Sequence, residues 1–152
     1  MGQILILEDD ASMHALLEGI IHDELPDWKV ETLETEYEFR LSWLPWFDLG
    51  KKVRPDVVVI DVMLRWTNPS VDQPPRPPEV IEGGFMRAGL RCLELIRQRP
   101  ALANTRLIFL TSLTKKNLDA LGANLDGVLL MHKDNIDQLV GQIRPVLGTL
   151  RP

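Results

Sequence analysis

Asp56-Val57-Val58-Val59-Ile60-Asp61-Val62-Met63-Leu64 is the stretch that decides the fold. Four consecutive aliphatic residues run without alternation into an acid. A short apolar run of this kind reads as a strand covered on both faces, as in the middle of a parallel sheet. Asp61 stands where the strand ends, and in open α/β sheets ligands gather beyond the carboxyl ends of the strands. Asp61 is therefore the first candidate for the acid that carries the chemistry. Taken by itself it reads more readily as a turn cap, a common use of a strand-end aspartate.

Toward the N-terminus, Gln3 to Leu7 is a second buried strand, ending in Glu8-Asp9-Asp10. Met13, Leu16, Leu17, Ile20 and Glu24 then recur at helical spacing, with Asp10 or Ser12 as N-cap and Pro26 as the stop. Trp28, Val30 and Thr32 alternate with Lys29, Glu31 and Leu33, the pattern of a weaker strand at a sheet edge. Glu34 to Leu49 has helical character, and Pro45 is expected to break or kink it.

Beyond Asp61, residues 65–83 hold Pro69, Pro74, Pro75, Pro77 and Pro78 and run into Gly83-Gly84. They predict an inserted proline-rich loop, partly polyproline II in character. A helix follows from Phe85 to Arg99, with Met86, Leu90, Leu93 and Arg97 along one stripe and Pro100 after its end. Arg106 to Leu110 is a strand followed by Thr111-Ser112, and a short helix covers Lys115 to Leu121. Gly127 to Met131 is the last strand, with His132-Lys133-Asp134 behind it. Ile136, Leu139, Val140, Ile143 and Leu147 mark a final amphipathic helix that Pro145 disturbs. The order is βα five times over, which predicts an α/β fold: a parallel sheet with helices on both faces and right-handed crossovers.

The chain has 152 residues, which fits one domain spanning 1–152. A domain of this size buries about 70% of its unfolded surface. Net charge is −5 with no Lys/Arg-rich run, which argues against nucleic acid as a partner. Cys92 is the single cysteine, so neither a disulfide framework within the chain nor a cysteine-rich zinc site is available. No stretch approaches the roughly 20 apolar residues of a membrane span. Ile4-Leu5-Ile6-Leu7 is too short for a signal peptide and lacks a basic leader. The expected location is cytoplasmic, with no membrane partner. Because Pro152 closely follows the last helix, no room is left for an output domain, and a stand-alone unit is expected.

The strand ends supply the chemistry. Glu8 and Asp9 follow the first strand, Asp61 the third, Thr111 the fourth and Lys133 the fifth. In a parallel sheet these ends point the same way, so three carboxylates, a hydroxyl and an ammonium converge on one shallow pocket. Each piece alone has a plain reading: an acidic helix N-terminus, a turn threonine, a solvated lysine. Together they do not. At about 5 Å and an effective dielectric near 20, each carboxylate pair repels by about 3 kcal/mol. Either one acid keeps its proton or a cation sits among them. Oxygen-only ligands select a hard cation, and Mg²⁺ with part of its water shell suits such a set. A carboxylate can attack a phosphoryl group, with cations and a hydroxyl neutralising the transferring oxygens.

This arrangement closely resembles the receiver domain of two-component response regulators (CheY-like), over nearly the whole chain. The motifs are ILILEDD with Glu8 and Asp9, VVVIDVML with Asp61, LIFLTS with Thr111 and Ser112, LLMHK with Lys133, and AGLRCLELIR with Gly89 near its start. The resemblance implies a flavodoxin-like sheet of order 2-1-3-4-5. It implies that Asp61 is the phosphoacceptor, Thr111 the switch hydroxyl and Lys133 the conserved-type lysine of the site. It also implies Mg²⁺ held by Asp9, Asp61 and the main-chain carbonyl of Met63, with Glu8 reached through water. The phosphoryl donor would be a histidine kinase or a phosphotransfer protein. The output would be a surface change felt by a downstream protein, and the only chemistry expected is self-phosphorylation and self-dephosphorylation rather than turnover of a substrate as an enzyme.

The chain departs from the family pattern at four points. Asp134 follows Lys133 where the family usually has proline. Leu130 stands where an aromatic switch residue is common, and Leu129 and Met131 are not aromatic either. The last strand reads about two residues longer than the family pattern. The loop after Asp61 is roughly twenty residues longer than usual, with Trp66 inside it, and a loop of that length marks a special feature. It reads either as an insertion without a role or as a lid or docking surface beside the pocket. Its PPRPP also fits a PxxP ligand. Trp43, Trp46 and Phe47 crowd the Pro45 segment, as core under a kinked helix or, if exposed, as a binding face.

Two competing functions follow. A phosphate-independent docking module that keeps the fold and uses its insertion as a constitutive surface fits Asp134 and the missing aromatic. A small phosphohydrolase would want a second acid two residues after Asp61, where Met63 stands, and no glycine-rich phosphate loop is present. Met63 and Leu113, at positions that flank the attacking water in this family, are apolar and predict a long-lived phosphorylated state.

Overall fold

The computed structural model describes residues 2–148. Five strands form one sheet: β1 (Gln3–Leu7), β2 (Lys29–Leu33), β3 (Val57–Ile60), β4 (Arg106–Thr111) and β5 (Val128–His132). Every pairing is parallel and the spatial order is β2-β1-β3-β4-β5. Successive strand residues face opposite sides, and each side has its own core. Ile4, Ile6, Val57, Val59, Ile108 and Leu110 pack against Leu17 and Ile21 of helix α1 (Ala11–Glu24) and Leu139 and Ile143 of the last helix (Leu139–Gly148). Leu5, Leu7, Val58, Ile60 and Phe109 pack on the other side against Phe39, Trp43, Cys92, Leu93, Ile96 and Leu118. Cover on both faces is why β1 and β3 read as unbroken apolar runs, while the edge strand β2 is exposed or half-buried throughout.

Asp10 caps α1, its Oδ1 accepting from the Met13 N–H at 2.8 Å. The buried side of α1 is His14, Leu17 and Ile21. The expected stripe through Leu16 is one residue out of phase, because His14 takes a core position that an apolar count passes over, and Leu16 is exposed.

Pro45 does not break its helix. Helix α2 covers residues 36–48 and widens to a π turn over Phe39–Trp43 before resuming as Leu44–Asp48. Proline then falls in the first turn of the resumed α segment, directly after the π turn, so the helix passes it with its hydrogen-bond ladder locally widened. Phe39, Trp43 and Phe47 stack in series at 5.8 and 5.3 Å, and Trp46 faces solvent under Lys51.

The 65–83 segment also differs from expectation, because Pro78–Gly83 forms a short helix, α3. Pro77 is extended (φ −60°, ψ 155°), in the polyproline II range, and Pro78 starts the helical turn. A 3-10 turn at Phe85–Arg87 leads into helix α4 (Ala88–Arg97), whose buried face is Ala88, Gly89, Cys92, Leu93 and Ile96. The predicted stripe of Met86, Leu90, Leu93 and Arg97 is thus corrected, since helical phase begins only at Ala88. A capping box at Thr114 opens the short helix α5 (Lys115–Ala120). The last helix, α6 (Leu139–Gly148), carries Pro145 inside it, and the predicted core position Leu147 lies outside the described side chains. No described helix is long and apolar enough to cross a membrane.

Candidate phosphoacceptor site

Sheet register brings the chemistry together. Leu7 pairs with Ile60, Ile60 with Phe109, and Thr111 with His132. The Asp61 N–H still donates to the Leu7 carbonyl at 2.9 Å and the Glu8 N–H to the Leu33 carbonyl at 3.1 Å, so both acids leave the sheet at its last rung. Oxygens of Glu8, Asp9 and Asp61 lie within 4.8 Å of one another, as the sequence predicted.

Glu8 is 1% exposed and Asp61 4%, and both are held by Lys133. Its Nζ lies 2.9 Å from Glu8 Oε2 and 2.8 Å from Asp61 Oδ2. The second oxygens accept backbone donors: Asp10 N–H reaches Glu8 Oε1 at 3.0 Å and Met63 N–H reaches Asp61 Oδ1 at 3.2 Å. Met63 thus stands with its backbone against the Asp61 carboxylate. Burial, reinforced by the Glu8 charge and opposed by the Lys133 bond, raises the Asp61 pKa to about 6. Burial works against the Lys133 ammonium, but its bonds to Asp61 and Glu8 prevail and hold its pKa above the usual value. Thr111 is fully buried at the end of β4, its Oγ1 accepting the Leu113 N–H at 3.1 Å. Glu8, Asp9, Asp61, Lys133 and the Met63 backbone thus meet at one place, while Thr111 lies buried at the end of the neighbouring strand β4 with its hydroxyl oxygen on the Leu113 N–H.

Three further residues build the site. His132 bridges two loops: its Nδ1 accepts the Asp134 N–H at 3.2 Å and its Nε2 lies 3.0 Å from the Ser112 carbonyl. The Asp134 carboxylate also stands 3.3 Å from Nδ1, so the ring is enclosed by the Asp134 and Ser112 backbones and one carboxylate. Gly89 donates its N–H to the Val62 carbonyl at 2.8 Å, and a Cβ there would stand 2.3 Å from the Asp61 carbonyl oxygen. Arg65 donates its N–H to Asp9 Oδ2 at 2.9 Å. Nothing in the local sequence of His132 or Arg65 announces these contacts, which join residues far apart in the chain. Gly89 was visible as the small residue at a helix start.

An all-oxygen donor set from Glu8, Asp9 and Asp61 fits a hard divalent cation, and two of the three acids share a single ammonium among the described residues. Leu130, at the position of the expected aromatic, packs half-buried against the core on the Phe109 side.

No protein-family model and no curated protein matches the chain. Solved structures do. The signal receiver domain of the DNA-binding response regulator merR from Colwellia psychrerythraea 34H is similar at TM-score 0.63 and 25% identity, covering 97% of this chain and 99% of that one. The receiver domain of a signal transduction histidine kinase from Syntrophus aciditrophicus is similar at TM-score 0.65 and 18% identity, covering 99% and 93%. The Mn²⁺-bound form of the response regulator Rcp1 is similar at TM-score 0.60 and 18% identity, covering 93% and 91%. The chain has the receiver fold, with the strand order that its motifs implied.

Proposed function

We propose that the chain is a phosphorelay receiver that takes a phosphoryl group on Asp61 in a reaction dependent on a divalent cation, Mg²⁺ by preference. The observation that carries the reading is the contact of Lys133 with both Glu8 and Asp61 beside Asp9 at the carboxyl end of a receiver sheet. The Mn²⁺-bound form of Rcp1 supports a divalent cation at such a site. The cation would be held by Asp9, Asp61 and the Met63 carbonyl, with Glu8 beside it, and when bound it supplies positive charge to the phosphoryl oxygens.

An Asp61 oxygen attacks phosphorus while the bond from phosphorus to the donor breaks. The donor is a phosphohistidine of a kinase or phosphotransfer protein, whose imidazole takes up a proton as it leaves. Lys133 remains to pair one transferred oxygen, and the Thr111 hydroxyl, whose oxygen accepts from Leu113, has its proton available to donate to another. The altered loops then present a changed surface to a protein partner, with no part for nucleic acid or membrane. The cytoplasm is the compartment this reading implies.

Intact-mass measurement after incubation with acetyl phosphate tests it, with and without Mg²⁺, on wild type and Asp61→Asn. A single phosphoryl adduct that requires both the metal and Asp61 is expected. With a control receiver labelled alongside, absence of any adduct overturns the reading in favour of a phosphate-independent docking module.

A further inference from the structure

Of the three acids, Glu8 and Asp61 are neutralised by Lys133, and Asp9 is not among that lysine's partners. Its cation comes from the insertion. Arg65, the first residue of the inserted segment, places its backbone N–H 2.9 Å and its side-chain Nε 3.4 Å from Asp9 Oδ2, and an Nη 3.4 Å from the Asp9 carbonyl oxygen. A single carboxylate oxygen is covered by two donors of one residue. The guanidinium cannot lose its proton, so only movement of the side chain can take its charge away from Asp9, while the backbone N–H keeps its bond to Oδ2.

The two donors are held very differently. The Arg65 backbone is fixed from the other side, because its carbonyl accepts the Glu36 N–H at 3.1 Å and the Trp66 carbonyl accepts the Tyr37 N–H at 3.0 Å. Trp66 is buried, edge-on to Tyr37 at 5.4 Å, and donates its indole N–H to the Pro74 carbonyl at 3.3 Å. Glu36 is itself fully buried and gripped by Arg91 through two bonds of 2.7 Å. The Arg65 side chain, in contrast, is 44% exposed, and an exposed ion pair with long contacts is weakly held. The backbone is an anchor and the guanidinium is free to swing.

We propose that Arg65 is a resident cation at Asp9, whose charge a divalent ion must outcompete or push aside when it enters the site, so that the insertion lowers the metal affinity of the pocket. The inference rests on reading Glu8, Asp9 and Asp61 as the metal-binding acids. It gives the insertion a defined role at the pocket: its first side chain competes for the one acid that Lys133 does not reach. It also makes Arg65 a positioning residue, acting through Asp9, and not a group that meets the phosphoryl directly.

Calorimetric titration of the full chain with Mg²⁺ tests the proposal, on wild type, Arg65→Ala, Arg65→Lys and Asp61→Asn. Arg65→Ala keeps the backbone bond to Asp9 and removes only the guanidinium. Its affinity for Mg²⁺ is expected to rise about five- to tenfold, since a positive charge leaves the first neighbours of a divalent ion. Arg65→Lys is expected between the two. Equal or weaker binding by Arg65→Ala, with binding still lost in Asp61→Asn, overturns the gate and leaves the metal site standing. No Mg²⁺ binding by any of the four overturns both the gate and the metal reading beneath it.

Discussion

Lys133 Nζ reaches Asp61 Oδ2 at 2.8 Å although the peptide that joins Lys133 to Asp134 is trans, as is every described peptide. The family pattern places proline after this lysine, and this chain achieves the same aim by other means. His132, the last residue of β5, ties the Asp134 N–H to the Ser112 carbonyl through its ring. The turn that points Lys133 inward is therefore fixed to the loop that follows Thr111.

His132→Ala should loosen that turn. Loss of the cap on the Asp134 N–H costs about 1 kcal/mol, read by urea denaturation. Labelling of Asp61 by acetyl phosphate should slow by about three- to tenfold, because an ammonium displaced by even 1 Å no longer pairs the transferring oxygen well. His132→Asn keeps an oxygen for the Asp134 N–H but is too short for Ser112. It should recover the stability and not the rate. Labelling of His132→Ala at the wild-type rate would show that Lys133 aims itself.

Gly89 imposes a second constraint. A Cβ at this position would meet the Asp61 carbonyl oxygen at 2.3 Å and Val62 Cα at 2.7 Å, both main-chain atoms. Neither can yield without moving the strand end that carries Asp61. Gly89→Ala should therefore cost about 2–3 kcal/mol, the range for a forced shift in a packed interior, and should lower phosphoryl acceptance even at temperatures where the variant is fully folded. Gly19, whose Cβ would meet nothing within 4 Å, is the control for a glycine-to-alanine change in a helix.

The strands and the pocket were legible because both follow from one fact, the parallel sheet. Cover on both faces makes β1 and β3 continuous apolar runs, and a parallel register puts Glu8, Asp61, Thr111 and Lys133 at one edge without further information. Helix faces were less legible. In α1 a buried His14 shifts the apolar stripe by one residue, and in α4 the 3-10 turn at Phe85–Arg87 resets the phase. Proline misled twice. Pro45 was expected to break or kink its helix, yet the helix continues past it after a π turn; Pro78 was expected inside a structureless loop, yet it opens a short helix at its first position, where its missing N–H is no loss. The Arg65–Asp9 and His132–Ser112 contacts were not legible at all, because they join residues 56 and 20 apart in the chain.

The buried acid predicts a pH dependence of stability without divalent cations. Asp61 has its pKa raised to about 6, above the unfolded value of 3.8, mainly by burial. The folded state thus holds the proton more tightly than the unfolded state. The group's contribution is most favourable below the unfolded value and is lost as pH rises through about 6, where the ionised form costs about 3 kcal/mol. Asp61→Asn mimics the protonated acid. In chelator it should be more stable than wild type at pH 7, with the gain shrinking toward pH 4. A gain independent of pH, measured by urea denaturation at several pH values, would assign the effect to something other than the Asp61 charge.

On the proposed phosphoacceptor reading, the lifetime of the phosphorylated state depends on Met63 and Leu113, two residues past Asp61 and two past Thr111. Hydrolysis needs a water placed in line with the Asp61–phosphorus bond, and a side chain able to orient it. Met63 is half-buried with its backbone on the Asp61 carboxylate, and Leu113 is half-buried with its N–H on Thr111 Oγ1. Both side chains are apolar and accept no hydrogen bond strong enough to hold that water. The double variant Met63→Asn, Leu113→Glu supplies an amide and a carboxylate at these two positions. Its phosphorylated half-life, followed by intact mass after removal of acetyl phosphate, should fall by roughly tenfold, with each single variant in between. Decay at the wild-type rate in the double variant would mean that access of water to the pocket, and not its orientation by these two side chains, limits the lifetime.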